Sequence, residues 1–245
     1  MSVSILIPTF NRKEFLIQAI ECCLKQTYRD IKIIIYDDGS TDGTHLAVDK
    51  YVNDDLTLPV TYIRSGVNRG IGYARSKLLE SFDSEYACWL DSDDLMHPER
   101  ISKCINAIGD ADIMYSNIQH FTQSSGNKHR INKGVESRID TNRYQPNNVQ
   151  CLTNNTACAT AFFKNKIKGV KMLDSLTLGA EDVLWLYTLL HLGYVVGHIN
   201  EPLYYYRSHD KRITTLKKLD INLEQKTREN KLIGDYIDNI TTQFD

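Results

Sequence analysis

No apolar run in this 245-residue chain approaches the roughly 18 to 20 residues needed to cross a bilayer. The opening stretch MSVSILIPTFNR has neither the basic region nor the small-residue cleavage site of a secretory leader. The expected location is the cytoplasm, with any membrane contact peripheral. The six cysteines, Cys22, Cys23, Cys88, Cys104, Cys151 and Cys158, form no Cys-x-x-Cys pair, and most stand among apolar neighbours, as reduced core thiols do. A disulfide framework and a structural zinc are therefore not expected. Gly-x-Gly-x-x-Gly is missing, and so is Gly-x-x-x-x-Gly-Lys-Ser/Thr, which argues against dinucleotide hydride transfer and P-loop chemistry. Nor does the sequence offer a Ser-His-Asp or Cys-His arrangement for a covalent nucleophile.

What is present fits one large globular domain with, at most, a small C-terminal addition: 42% of residues are hydrophobic and 24% charged. The formal net charge is only −2, but it is unevenly spread. Residues 1–100 hold 11 Lys+Arg against 16 Asp+Glu, whereas residues 101–245 hold 18 against 15. Between Lys128 and Lys218 there are 14 basic and 7 acidic residues, so this half can meet an anionic partner or simply present a solvated basic surface.

VSILIP (3–8) and IKIIIYDD (31–38) are short β-branched runs, the pattern of strands buried on both faces of a parallel sheet. Between them Phe15, Leu16, Ala19, Ile20, Cys23 and Leu24 recur at helical intervals behind Asn11, a residue suited to an N-cap. The alternation continues with a helix over 41–53, a strand over 60–65, a helix over 70–82, a strand over 86–91, a helix after Pro98 and a strand over 111–117. This predicts a doubly wound α/β sheet with flanking helices. Residues 122–150 read as a long loop or peripheral hairpin, ATAFF (159–163) as a strand, 181–192 as a helix, and YVVGHI and PLYYYR as two β runs. From Leu216 onward the spacing is that of a peripheral helical segment. The expected division is a domain over 1–215, made of a nucleotide-binding half (1–117) and an acceptor half (118–215), followed by an extension over 216–245.

In open α/β sheets ligands bind beyond the carboxyl ends of the strands. Here those ends carry Thr9, Phe10 and Asn11, then DDGSTDGT (37–44), then NRGIGYARS (68–76), then DSDD (91–94). Two carboxylates one residue apart at a strand end can hold a divalent cation such as Mg²⁺ or Mn²⁺, which in turn neutralises a diphosphate. Helix capping is the other reading, strongest for Asp94.

Taken together, ILIPTFNR, YDDGSTDGT, NRGIGYARS, WLDSDD and GAEDVLW resemble the family 2 glycosyltransferases, nucleotide-sugar-dependent inverting enzymes of the GT-A fold. The likeness is close over 1–117 and looser to about 215. It implies a mixed sheet of GT-A type and a nucleoside site formed by Pro8, Phe10 and Asp38, with Asp37 as support. A carboxylate at position 38 would accept the uracil N3–H, which makes a UDP-sugar the favoured donor. The same resemblance implies Asn68 and Arg75 at the uridine and diphosphate. It puts Asp91 at the ribose or metal, and Asp93 on a Mn²⁺ or Mg²⁺ ion. Asp182 would be the general base that takes the proton of the acceptor hydroxyl. Glu181 would orient or contact the acceptor, and Trp185 and Tyr187 either stack on sugar or belong to the core. His209, in YYYRSHDKRITT, would complete the metal shell or donate to the diphosphate, with Arg207, Lys211 and Arg212 neutralising the leaving group.

The acceptor implied is a glycan, a lipid-linked saccharide or an anionic cell-surface polymer. The basic tracts KNKIKGVK (164–171) and RSHDKRITTLKK (207–218) also leave room for a nucleic acid, because phosphate contacts supply most non-specific affinity. A nucleotidyltransferase would share the paired aspartates but should carry a basic Gly-rich loop near its first strand, which PTFNR does not match. An inactive nucleotide-binding module would be expected to lack Asp93 or Asp182, and both are present.

Overall fold

The structure is a computed structural model that describes residues 1–53, 58–124, 128–137, 158–172 and 181–209. Strand β1 (Val3–Thr9) is buried along its whole length. Its neighbours in sequence alternate between two cores: Ile5 and Ile7 face one, Leu6 the other. This is why the run is continuously apolar rather than alternating. Helix α1 (Lys13–Leu24) buries Leu16, Ala19, Ile20 and Cys23 against the first core, the i, i+3, i+4, i+7 stripe of an amphipathic helix. Strand β2 (Ile31–Asp37) pairs with β1 in parallel, Val3 opposite Ile31 through Thr9 opposite Asp37.

The chain goes on through α2 (Thr44–Asn53), β3 (Val60–Arg64), α3 (Ile71–Ser81), β4 (Tyr86–Trp89), a two-residue β5 (Leu95–Met96) and α4 (Arg100–Ala107). Then follow β6 (Ile113–Ser124), β7 (Lys128–Ser137), β8 (Phe162–Lys164), α5 (Glu181–His191) and β9 (Val196–Ser208). The sheet order is β3-β2-β1-β4-β8-β6-β9-β5, with β7 hairpinned onto β6. The first four strands are parallel. β8 is antiparallel to both β4 and β6, β9 is parallel to β6, and β5 is antiparallel to β9.

Several sequence expectations change. Asn11 does not cap α1. It adopts a left-handed φ of 51°, which Asn tolerates, and its Oδ1 accepts the Thr41 N–H at 2.8 Å, so it ties the β1 end to the loop after β2. ATAFF begins as a single 3₁₀ turn, Cys158–Thr160, and only Phe162–Lys164 is strand. The Thr160 hydroxyl accepts the Ser116 N–H across the sheet. YVVGHI and PLYYYR join into one strand, β9, whose register on β6 shifts beside Asn117. β6 runs on to Ser124, and part of 122–150 forms the β6–β7 hairpin. The predicted helical segment from Leu216, with Lys211 and Arg212, lies outside the described residues.

Two features place the site. Pro8 comes after the last β1–β4 pair, Leu6 opposite Trp89, so a central strand carries proline without losing a ladder bond to β4. Directly after DSDD, β5 pairs Leu95 with Tyr205 and Met96 with Tyr204, which brings the C-terminal end of β9 to the end of β4.

Candidate active site

The aspartates at 91, 93 and 94 repel one another unless each is matched, and each has its own partner. Asp91 Oδ1 accepts from Arg75 Nη2 at 2.8 Å. Asp93 Oδ2 is 2.9 Å from His209 Nε2 and 3.6 Å from Arg12 Nε. Burial raises the Asp93 carboxyl, but the His209 hydrogen bond and the Arg12 charge outweigh it and hold the group below the usual carboxylate range. Asp94 is buried and accepts from the Tyr204 hydroxyl at 2.9 Å and the Arg207 N–H at 2.8 Å. Burial, and then the Asp93 and Asp91 charges, push its carboxyl well above the usual range.

The Tyr204 hydroxyl also accepts the Asp91 N–H at 3.1 Å, so one phenol joins two residues of the turn to β9. Arg207, 1% exposed, donates from Nε to the Asp93 carbonyl at 2.6 Å and from Nη2 to Gln18 Oε1 at 2.9 Å. Its guanidinium lies over Phe15 at 4.8 Å and Phe121 at 4.7 Å. It therefore acts as a strut beneath the turn, whereas the sequence placed it among groups that neutralise a leaving group. Arg100, fully buried, donates to the Trp89 carbonyl at 2.9 Å at the end of β4.

Asp93 Oδ2 and His209 Nε2 are about as far apart as two adjacent ligands on one ion with bonds of about 2.1 Å, which is about 3 Å. Among the described residues no group of three or more His, Cys, Asp or Glu side chains gathers around one point. The Asp93 carboxylate fits a hard cation, Mg²⁺ or Mn²⁺, of the kind held through one or two carboxylates together with substrate phosphates and water, and the His209 imidazole suits the transition metal of the two better. Asp91, the third residue assigned to the metal from the sequence, directs Oδ1 at Arg75.

The loops after β1, β2 and β3 interlock. Asp38 is buried, and its carboxylate accepts the Arg69 N–H (2.9 Å) and the Gly70 N–H (2.7 Å). Burial raises this carboxyl, the two backbone donors partly offset that, and the Asp37 charge adds to it. Asp37, fully buried, accepts from the Ser40 N–H at 2.8 Å and from the Tyr62 hydroxyl. Asn68 is exposed and uses Oδ1 to accept the Gly70 N–H at 3.0 Å, a local turn that leads into α3. Gly39 has a φ of +84°, and an added Cβ would lie 2.8 Å from the Val67 carbonyl carbon. Phe10, just after β1, is 40% exposed, and Pro8 is buried.

Helix α5 opens with Glu181 and Asp182. Carboxylates suit the first turn of a helix, where backbone N–H groups are unpaired. Glu181 is buried and accepts from Arg75 Nη1 at 3.0 Å, so the acidic pair divides: Glu181 faces inward and Asp182 is half-buried. Trp185 is core. It is 1% exposed, donates Nε1–H to the Val170 carbonyl at 2.7 Å, and packs on Trp89 and Phe163 at 6.1 and 5.5 Å, which leaves no face for a sugar. Tyr187 is buried as well.

Arg12, Phe15 and Gln18 were not read as site residues. Phe15 and Gln18 are three apart on α1 and Arg12 is its N-cap, and the i, i+3 neighbourhood of the helix pair was the available signal. Phe15 also lies 4.8 Å from the His209 ring. Tyr204 was read within a β run, and nothing in its neighbours marks it as the link between Asp91 and Asp94.

Comparison with known proteins bears on the family and the fold. Residues 4–168 match the profile described as Glycosyl transferase family 2. The chain is 29% identical over 216 residues to the UDP-Glc:alpha-D-GlcNAc-diphosphoundecaprenol beta-1,3-glucosyltransferase WfaP of Escherichia coli, covering 88% of this chain and 80% of that protein. It is 30% identical over 127 residues to the glycosyltransferase GlyG of Streptococcus pneumoniae, covering 51% of this chain and 42% of GlyG. The chain thus spans about two fifths of the length of some curated relatives. Among solved structures, S. aureus TarS 1–349 in complex with UDP-GlcNAc superposes with a TM-score of 0.75 at 19% identity, covering 97% of this chain and 66% of that one. The mannosyltransferase PcManGT of Pyrobaculum calidifontis, in complex with GDP-Man and Mn²⁺, gives 0.63 at 16% identity, covering 85% and 57%. At these identities the structural likeness speaks for a GT-A fold.

Proposed function

The chain belongs to glycosyl transferase family 2, and from that premise we propose that it moves a sugar from a nucleotide-sugar donor to an acceptor hydroxyl with inversion at the anomeric carbon. The observation that carries this reading is the meeting of Asp93 with His209 and Arg12 at the end of β4, where Arg75 ties the neighbouring Asp91 to Glu181 in the acidic first turn of α5. Asp182 is the base: it accepts the proton of the acceptor hydroxyl as that oxygen attacks the anomeric carbon from the face opposite the nucleotide. Asp93 and His209, with Asp91 beside them, would hold a divalent cation, Mn²⁺ or Mg²⁺, which when bound supplies positive charge against the departing diphosphate. Arg12 adds a fixed cation on the same side. The fold prepares these charges before substrate arrives, so little reorganisation is needed as the diphosphate leaves.

A UDP-sugar is the favoured donor. TarS is solved with UDP-GlcNAc, WfaP is named for UDP-Glc, and Asp38 presents a group that only accepts hydrogen bonds. Its two backbone donors leave lone-pair capacity for one more. Phe10 gives a nucleobase an exposed ring to lie against. The acceptor class is a glycan, a lipid-linked saccharide or a cell-surface polymer, in keeping with the diphosphoundecaprenol-linked sugar in the name of WfaP.

A panel of nucleotide sugars, each with Mn²⁺, tested by thermal shift identifies the donor, since a ligand that binds the native state raises the melting temperature by mass action. The expected hit is a UDP-sugar. Asp182→Asn should abolish transfer while leaving the Kd for UDP nearly unchanged, and loss of UDP binding in that variant would remove Asp182 from the role of base.

A further inference from the structure

Arg75 joins two parts of the fold that are 90 residues apart in sequence. It sits on α3, buried, with Nη2 on Asp91 Oδ1 at 2.8 Å and Nη1 on Glu181 Oε1 at 3.0 Å. The two carboxylates are unequal. The Asp91 side chain is 24% exposed and is the outer end, whereas Glu181 is 4% exposed and is the inner one. Glu181 Oε2 is buried with no hydrogen-bond partner among the described residues, so this carboxylate relies on Arg75. The guanidinium also lies 5.8 Å from the Trp89 ring, which packs at 6.1 Å on Trp185, one turn beyond Glu181 along α5.

A buried carboxylate is costly unless a cation or hydrogen-bond donors meet it, and for Glu181 that partner is Arg75. The first turn of α5 is therefore fixed where Arg75 can reach it, and Arg75 is in turn aimed by Asp91. We propose that Arg75 is a positioning residue: it sets Asp182, the neighbour of Glu181, relative to the strand-end carboxylates, and so links occupancy at Asp91 to the placement of the base. This rests on Asp182 being the base. It also gives Arg75 a task distinct from contact with the uridine or diphosphate, because its guanidinium is directed at two carboxylates of the protein.

The two tryptophans of the chain, Trp89 and Trp185, both flank this junction, so intrinsic fluorescence reports on it directly. The full chain is compared with Arg75→Met, Glu181→Gln and the double variant for melting temperature, kcat, donor KM, UDP affinity and tryptophan emission on adding UDP with Mn²⁺. Arg75→Met strands Glu181 and should lower the melting temperature, which the double variant, lacking both charges, should largely restore. If Arg75 positions the base, kcat in the double variant stays down by about tenfold or more while the donor KM holds within about twofold. The emission change that UDP induces in the wild type should be missing from both Arg75 variants. Recovery of kcat together with the melting temperature would overturn the proposal, since the pair would then serve stability alone. So would a donor KM or UDP Kd raised about tenfold at unchanged kcat, which would make Arg75 a donor contact. Asp182→Asn keeps the two readings apart. Full transfer in that variant removes the base assignment, while the emission response and its loss in Arg75→Met still test the link from Asp91 to α5.

Discussion

Tyr204→Phe removes one oxygen from a fully buried side chain and leaves the ring in place, so it isolates the link between the DSDD turn and β9. The hydroxyl makes two hydrogen bonds, donating to Asp94 Oδ2 at 2.9 Å and accepting the Asp91 N–H at 3.1 Å. A hydrogen bond to a carboxyl contributes about 1 kcal/mol when the group is neutral and about 1.5–3 kcal/mol when it is charged, one between neutral groups about 1 kcal/mol, and buried groups left without partners add desolvation. Asp94 keeps its second donor, the Arg207 N–H, so the loss is partial. The expected destabilisation is about 2–4 kcal/mol, and a chain of this size loses about 2–4 °C per kcal/mol, giving a melting temperature lower by roughly 5–15 °C. His209 follows Tyr204 by five residues at the end of β9, so loosening the turn should also separate His209 from Asp93 and weaken UDP binding in the presence of Mn²⁺. The assays are calorimetric unfolding and isothermal titration with UDP, run beside Asp94→Asn and the double variant. If the two side chains act as one latch, the double variant costs clearly less than the sum of the singles. A melting temperature within about 1 °C of wild type would refute the reasoning about buried hydrogen bonds. A large drop in stability with unchanged UDP affinity would confine the latch to folding.

Other outcomes follow from single residues. Gly39→Ala combines a left-handed φ of +84° with a Cβ 2.8 Å from the Val67 carbonyl carbon, so it should cost about 1–3 kcal/mol or more and, by displacing the loop that Asp38 holds, raise the Kd for UDP; unchanged melting and binding would show that the loop yields freely. His198, with Nε2 2.8 Å from Asn117 Oδ1, has its ring pKa lowered from 6.5 by burial. The unfolded chain therefore takes up this proton first as pH falls, and the stability His198 contributes is present above about pH 6.5 and lost below it. His198→Asn should flatten the melting temperature between about pH 5 and 7, and an unaltered profile would assign that dependence to other groups. Removing divalent cations with EDTA should abolish transfer, and Asp93→Ala should weaken UDP binding and make it insensitive to Mn²⁺. Full activity in EDTA would show that Asp93 and His209 hold no metal.

The first half of the sheet was readable because strands buried on both faces leave continuous apolar runs, and their sudden change to polar residues marks where each strand ends. β1 to β4 fall within a few residues of their expected places. The second half resisted for physical reasons. β5 has only two residues, too few for any periodicity, yet its pairing with β9 is what brings His209 to Asp93. Trp185 lies on a helix with apolar residues on most sides, and a helical period cannot say which of them meets a ligand and which the core. Asn11 is a common N-cap residue that is equally suited to left-handed backbone, and the loop it ties down, not its place before a helix, decided between the two. The resemblance to known motifs gathered Asp91, Asp93, Arg75, Glu181 and His209 on paper. It gave no sign of which carboxylate would meet which cation, because those pairings depend on tertiary contacts, two of them across more than 100 residues.

Those pairings explain how three aspartates can share one strand end. Each is compensated from a different place: Asp91 from α3, Asp93 from the start of α1 and the end of β9, and Asp94 from within β9. The compensation is also graded by depth. Asp94, the most buried, is met by a phenol and a backbone N–H and has its carboxyl raised, so its charge is the least favoured of the three. Asp93 is met by groups that favour its charged form and is held low. A turn with this sequence would not keep this shape on residues 1–117 alone, since both donors to Asp94, Tyr204 and Arg207, lie on β9 and His209, which meets Asp93, follows it. The acidic strand end is thus stable only when both halves of the sheet have closed on it, and the same closure brings Glu181, at the start of α5, onto the arginine that also meets Asp91.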